Sequence, residues 1–141
     1  MEYNFYHNKK LDIKPIDNKY NVKDSYDLYL KLLNIFQKDT CAKRLQSSWT
    51  LDNKTKGHCS ITAFLAQDIF GGDVYGILLS DGNYHCFNVI SDYIFDLTSE
   101  QFLGKKLDYT NSVLQKREIH FAKEEKYNRY LLLKTRLLNF K

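Results

Sequence analysis

At 141 residues the chain suits one domain, and with 43% hydrophobic and 15% aromatic residues it has the apolar material for a true core. A formal charge of +4 and a pI near 8.8 are mild, and Lys and Arg are interleaved with acids and aromatics, so charge gives no ground for a nucleic-acid partner. No apolar run approaches membrane-spanning length and the first twenty residues lack the apolar centre of a signal peptide, so no membrane association is expected and the cytoplasm is the expected compartment.

Residues 1–23 are polar, rich in Asn, Lys and Tyr, and carry the single proline, Pro15, which predicts an arm with one short strand. Asp24 and Ser25 then offer N-cap chemistry, and Tyr29, Leu32, Leu33 and Phe36 recur at helical spacing through about Lys38. A short helix is expected over 42–46, followed by a polar loop from Ser47 to Lys56. Next comes an apolar helix that starts at Gly57-His58-Cys59 and stops at Gly71-Gly72. Cys59, Ala63, Ala66 and Phe70 share one stripe of it, narrow enough for another layer to approach closely. Three short strands are predicted over 74–80, 84–90 and 93–98, with Asp81-Gly82 and Ser91-Asp92 as the turns of an antiparallel meander. Ser99 to Phe102 reads as a helical turn, 104–110 as a loop and 113–121 as one more strand. Tyr130, Leu133, Leu137 and Leu138 mark a closing helix.

Three cysteines, Cys41, Cys59 and Cys86, make an odd count, so at least one thiol is expected to be free. Cys59 falls at a helix N-terminus, where unpaired N–H groups and the aligned peptide dipoles favour thiolate over thiol. A cysteine nucleophile needs a base within reach and a group that orients the base. His85 follows Cys59 by 26 positions, and Asp96 follows His85 by 11. If Ser91-Asp92 is a two-residue hairpin loop, Ile90 pairs with Tyr93. His85, Phe87, Val89, Ile94, Asp96 and Thr98 then share one face, with His85 and Asp96 diagonal neighbours roughly 7 Å apart at the backbone. A three-residue loop would break this alignment. The bland alternatives are a cysteine serving as a small buried hydrophobe and a histidine serving as a core residue. Asp96, between Phe95 and Leu97, resists that treatment, because a buried carboxylate asks for a partner. His58-Cys59 and His85-Cys86 raise the question of zinc, but neighbours on a strand point to opposite faces and no Cys-x-x-Cys is present, so no metal and no other cofactor is expected. Cys86 is expected to pack on the far face.

These residues resemble the YunG-like family, which is similar to the wider papain-like and transglutaminase-like cysteine hydrolases. The family pattern of a Ser-Trp pair, Gly-Gln-Cys with an apolar helix and Gly-Gly, His-Tyr-Trp-Asn, and Asp-Leu-Thr-x-x-Gln-Phe corresponds to Ser48-Trp49, Gly57-His58-Cys59, Gly71-Gly72, His85-Cys86-Phe87-Asn88 and Asp96 through Phe102, with Cys86-Phe87 in place of Tyr-Trp, a change that alters packing. Arg129-Tyr130 with Leu132 looks like its closing helix, so the likeness runs from about Asp24 to the C-terminus. It implies Cys59 as nucleophile, His85 as general base and acid, and Asp96 as the group holding the imidazole. It also implies an oxyanion site made by the nucleophile's backbone N–H and a nearby polar side chain. His58 stands where the family has Gln, which leaves His58, Asn53, Trp49 and Asn88 as the candidates for oxyanion or substrate binding.

The expectation is thus an N-terminal arm over residues 1–23 and one papain-like α+β domain over 24–141, its cysteine-bearing helix packed on an antiparallel sheet. The favoured function is cofactor-free thiol acyl transfer on a protein, peptide or small amide or ester, by hydrolysis, deamidation or transamidation. The alternatives are an inactive papain-like binding module, or an effector or toxin that modifies a protein target. Fold resemblance by itself names no substrate and no oligomeric state.

Overall fold

Asp24 begins the first helix as the sequence predicts: its carboxylate accepts from the Asp27 N–H at 2.8 Å, capping α1 (Ser25–Ile35). Leu28, Tyr29, Leu32 and Leu33 form the buried stripe of α1, which ends three residues before Lys38; Lys38–Thr40 is instead a separate 3-10 turn. This computed structural model describes residues 13–140. A second 3-10 segment, Lys43–Ser48, takes the place of the short helix expected over 42–46. The chain continues through α2 (Cys59–Phe70), β1 (Asp73–Leu78), β2 (Tyr84–Ile90), β3 (Tyr93–Phe95), a 3-10 turn at Ser99–Phe102, β4 (Val113–Leu114), α3 (Arg117–Phe121) and α4 (Glu124–Leu138).

The four strands form one antiparallel sheet in the order β3-β2-β1-β4, so the fold class is α+β. Ser91-Asp92 is the two-residue loop required above: Ile90 pairs with Tyr93, Val89 with Ile94 and Asn88 with Phe95, with Ser91 in the left-handed region at φ 53°. The third strand is shorter than predicted and stops at Phe95, so Asp96 lies just past its end. Tyr84 to Phe87 of β2 therefore have a strand neighbour on the β1 side alone. The strand expected over 113–121 is corrected as well. Val113 and Leu114 pair with β1, both about half exposed, and the chain then turns into α3 at Arg117. There is no alternating apolar face to extend the strand.

α2 is the central element. Ile61, Ala63, Phe64, Leu65, Ala66 and Ile69 are fully buried between the sheet, α1 and α4, with Leu133 and Leu137 of α4 in the same core. Leu138, predicted as part of that stripe, is 43% exposed. Asn88 on β2 ties sheet to helix, its amide donating to the Ala63 carbonyl at 2.8 Å. Arg117 clamps the other side of α2, pairing with Asp68 at 2.7 Å and donating to the Phe64 carbonyl at 2.8 Å. The described part of the arm is docked: the Ile16 N–H donates to the Ile69 carbonyl at 2.7 Å, and Tyr20 and Val22 join the core. Residues 13–23 hold no strand, and the rest of the arm lies outside the described residues. Among the described residues no helix is long and apolar enough to cross a membrane.

Candidate active site

Gly57 delivers the chain to α2 at φ 76°, where any side chain would overlap the Cys41 sulfur and crowd the Ala42 nitrogen at 3.1 Å. Only glycine suits both the backbone and the space. His58 follows as N-cap without lending its side chain to the helix, so the first-turn N–H groups of α2 carry no side-chain cap. Cys59 is the first helical residue and is half-buried, the one cysteine of the three that is not fully buried; all three are free thiols.

His85 and Asp96 meet as the register predicts. The imidazole Nε2 lies 2.6 Å from Asp96 Oδ2, with His85 at 1% exposure and Asp96 at 0%. The Tyr109 hydroxyl donates to the same carboxylate oxygen at 2.7 Å, and the Thr98 N–H donates to the other at 3.2 Å. Burial alone would lower the His85 pKa, but the charge and hydrogen bond of Asp96 outweigh it and push the value up to about 10. Phe102 packs edge-on against the imidazole, ring centroids 4.8 Å apart. The other ring nitrogen, Nδ1, is buried and has no hydrogen-bond partner.

The Cys59 thiol is acidified well below its ordinary value. Hydrogen bonding to the Cys86 thiol contributes most, desolvation opposes it, and the hydrogen-bonding and Coulombic influence of the His85 imidazolium adds to the lowering. No hydrogen bond of ordinary geometry joins the sulfur to Nδ1, so the imidazolium acts on the sulfur through proximity and charge. As a neutral thiol, Cys59 has the Tyr84 carbonyl as acceptor at 3.8 Å. Cys86 moves oppositely: its thiol is raised by the neighbouring sulfur and by burial, so it remains a donor. Cys86 packs in the core on the face opposite His85, as expected, but α2 sits on that face, and the Cys59 sulfur lies near the start of β2, where it interacts with both side chains.

The four candidates for oxyanion or substrate binding are engaged elsewhere. His58 is fully buried, its Nδ1–H donating to the Lys56 carbonyl at 2.9 Å and its Nε2 accepting from the Thr40 hydroxyl at 2.7 Å. Burial lowers its pKa to about 4, so the ring is neutral and has no N–H to spare. The Thr40 carbonyl accepts from buried Arg129 of α4 at 3.1 Å, so α4, the Lys38–Thr40 turn and the α2 N-terminus are locked together through this histidine. Trp49 donates to the Lys54 carbonyl at 2.9 Å, Asn53 to the Gln101 carbonyl at 3.2 Å, and Asn88 to Ala63 on the helix side. The donors that remain beside the sulfur are the uncapped first-turn N–H groups of α2.

Sulfur and imidazole open into a cleft of about 730 Å³ bounded by the α2 N-terminus, the β1–β2 turn, Phe102 and the α3–α4 region. Among the described residues no three His, Cys, Asp or Glu side chains come together as a metal-binding group. Tyr109 is the site residue that sequence reasoning missed. It sits in the irregular segment before β4, where no periodicity marks it, and the one available signal was that the buried Asp96 needed further donors.

Residues 24–140 match the family model described as YunG protein. A Bacillus subtilis (strain 168) protein named "Uncharacterized protein YunG" is 35% identical over 65 residues, a match covering 46% of this chain and 56% of that protein, so the chain spans little more than half the length of this relative. No solved structure matches. With most of its length covered by that model, the chain belongs to the YunG family.

Proposed function

We propose that the protein is a cysteine-dependent acyl-transfer enzyme acting on amides or esters, with Cys59 as nucleophile, His85 as acid and base, and Asp96 as the group that fixes the imidazole. The observation carrying this reading is the buried His85–Asp96 pair, whose second ring nitrogen has no hydrogen-bond partner beside an acidified cysteine at a cleft. Held at Nε2, the imidazolium presents its Nδ1–H toward the cysteine side, and the resting state is thiolate with imidazolium.

The thiolate attacks the carbonyl carbon, and negative charge passes to the carbonyl oxygen, which the α2 first-turn N–H groups meet. When the tetrahedral centre collapses, the bond to the leaving amine or alkoxide breaks and His85 gives that group its Nδ1 proton, leaving a Cys59 thioester and a neutral imidazole. Water or an incoming amine then attacks the thioester carbon. His85 takes the proton of that nucleophile, and the thiolate is released with the imidazolium restored. Water on a peptide bond gives hydrolysis, water on a primary carboxamide gives deamidation, and an amine gives transamidation. The papain-like and transglutaminase-like resemblance implies these same roles for Cys59, His85 and Asp96, and this reading expects the cytoplasm, where free thiols persist.

A screen of amide, ester and glutamine donors, read by product release and by intact mass, tests this. The expected result is turnover with an acyl adduct on Cys59 that vanishes in Cys59→Ala. Product formation that survives in Cys59→Ala would overturn it.

A further inference from the structure

The wall of the cleft contributed by α3 and α4 carries a second polar chain, which the acyl-transfer steps do not use. Lys126 Nζ lies 2.9 Å from His120 Nδ1, and His120 Nε2 lies 2.8 Å from Gln115 Oε1, with the Gln115 amide donating onward to the Val113 carbonyl at 3.0 Å. An ammonium can only donate, so Nδ1 accepts, and Nε2 carries the hydrogen that goes to Gln115. Burial and the adjacent lysine charges hold His120 neutral, its pKa lowered to about 4. Gly76 of β1 leaves the space that Gln115 fills, since a Cβ there would lie 2.8 Å from the Gln115 amide nitrogen.

Lys126 is thus aimed by a neutral acceptor and has no carboxylate among the described residues within ion-pair distance, although it is half-buried. The two carboxylates lining the cleft are already taken: Asp81 pairs with Arg44 at 3.5 Å and Glu125 with Arg129. A partly desolvated ammonium with no carboxylate paired to it costs free energy that a directly bound carboxylate would recover. Cys59 lines the same cleft, within Coulombic range of both Lys126 and His120.

We propose that Lys126, aimed by the His120–Gln115 chain, binds a carboxylate of the substrate close to the carbonyl that Cys59 attacks. The site therefore favours amides or esters bearing a free carboxylate over neutral ones. His120 uses one of the three ammonium hydrogens, and the two left match the two oxygens of one carboxylate. This inference rests on the assignment of Cys59 as nucleophile.

Two alkylating probes of similar size, neutral iodoacetamide and anionic iodoacetate, test it without a known substrate. Both report the same thiolate, so the ratio of their rates at Cys59 cancels any change in thiol pKa and isolates attraction of a carboxylate. Lys126→Gln is expected to lower the iodoacetate-to-iodoacetamide ratio by roughly threefold to tenfold, added salt to lower it in the wild type, and Lys126→Arg to preserve it. Fast iodoacetamide labelling with a ratio unchanged in Lys126→Gln would overturn the carboxylate site and leave the nucleophile standing. Failure of both reagents to label Cys59 in the folded protein would overturn the two together.

Discussion

The Tyr109 hydroxyl and the His85 imidazole bind the same oxygen of Asp96, at 2.7 and 2.6 Å, in a place closed to solvent. A carboxylate with no water needs its donors from the protein, and the phenol is one of them. Tyr109→Phe keeps the ring packed edge-on against Phe87 and removes this donor alone. It is expected to lower unfolding free energy by about 1.5–3 kcal/mol, the range for a hydrogen bond to a charged group, as measured by urea denaturation. A loss below about 0.5 kcal/mol would mean that the phenol does not support the carboxylate.

Asp96→Asn keeps size and removes the charge that raises His85. Burial then dominates and the ring becomes neutral near pH 7, so Cys59 loses its cationic neighbour. Alkylation of Cys59 at pH 6.5 is expected to slow by at least about tenfold, a change worth roughly one unit of thiol pKa. An unchanged rate would show that His85 does not act on the sulfur.

The paired shifts of His85 and Cys59 leave a signature in stability against pH. The unfolded chain loses the imidazole proton near pH 6.5 and the thiol proton near pH 8.5, roughly the ordinary values. The folded chain loses the Cys59 proton well below that thiol value and keeps the His85 proton to about pH 10. Once the folded Cys59 is thiolate and the unfolded histidine is neutral, up to about pH 8.5, both states hold one proton across the pair, so its contribution is flat. Above that window the raised His85 value makes stability fall toward pH 10. Below it stability falls as well, reinforced by His58, which stays neutral in the fold down to about pH 4. In Cys59→Ala the raised histidine stands alone, and stability is expected to decline across the formerly flat window by up to about 1.4 kcal/mol per pH unit. Thermal or urea unfolding of both proteins across this range measures it, and parallel curves would contradict the pairing.

Gly57→Ala forces a side chain into the left-handed region and onto the Cys41 sulfur. It is expected to destabilise by at least about 1–3 kcal/mol and to reduce Cys59 reactivity, because the loop that sets the α2 N-terminus must shift. Unfolding and alkylation measured on one sample check both effects.

The parts of the site that local pattern determines were legible in the sequence. Gly57 and Gly71 bracket α2, and the Ser91-Asp92 loop fixes a register that brings Asp96 to His85. What was lost depends on contacts between distant segments. Tyr109 reaches Asp96 from an irregular stretch whose path no periodicity records. His58, Trp49 and Asn53 are polar residues in loops that read as available donors, yet nearby hydroxyl or backbone groups claim them. Alternation correctly opposes Cys86 to His85, but it does not tell which face receives α2, so the thiol pair at Cys59 stayed hidden.

The rate of Cys59 alkylation by iodoacetamide against pH, in the wild type and in His85→Ala, tests the central assignment most directly. Cys41 and Cys86 are buried and serve as internal controls. The account predicts a wild-type midpoint well below the ordinary thiol value of about 8.5, and a midpoint in His85→Ala moved up toward or beyond that value. A wild-type midpoint at or above about 8.5, unmoved by His85→Ala, would contradict it and leave Cys59 as a packing residue at the end of a buried helix.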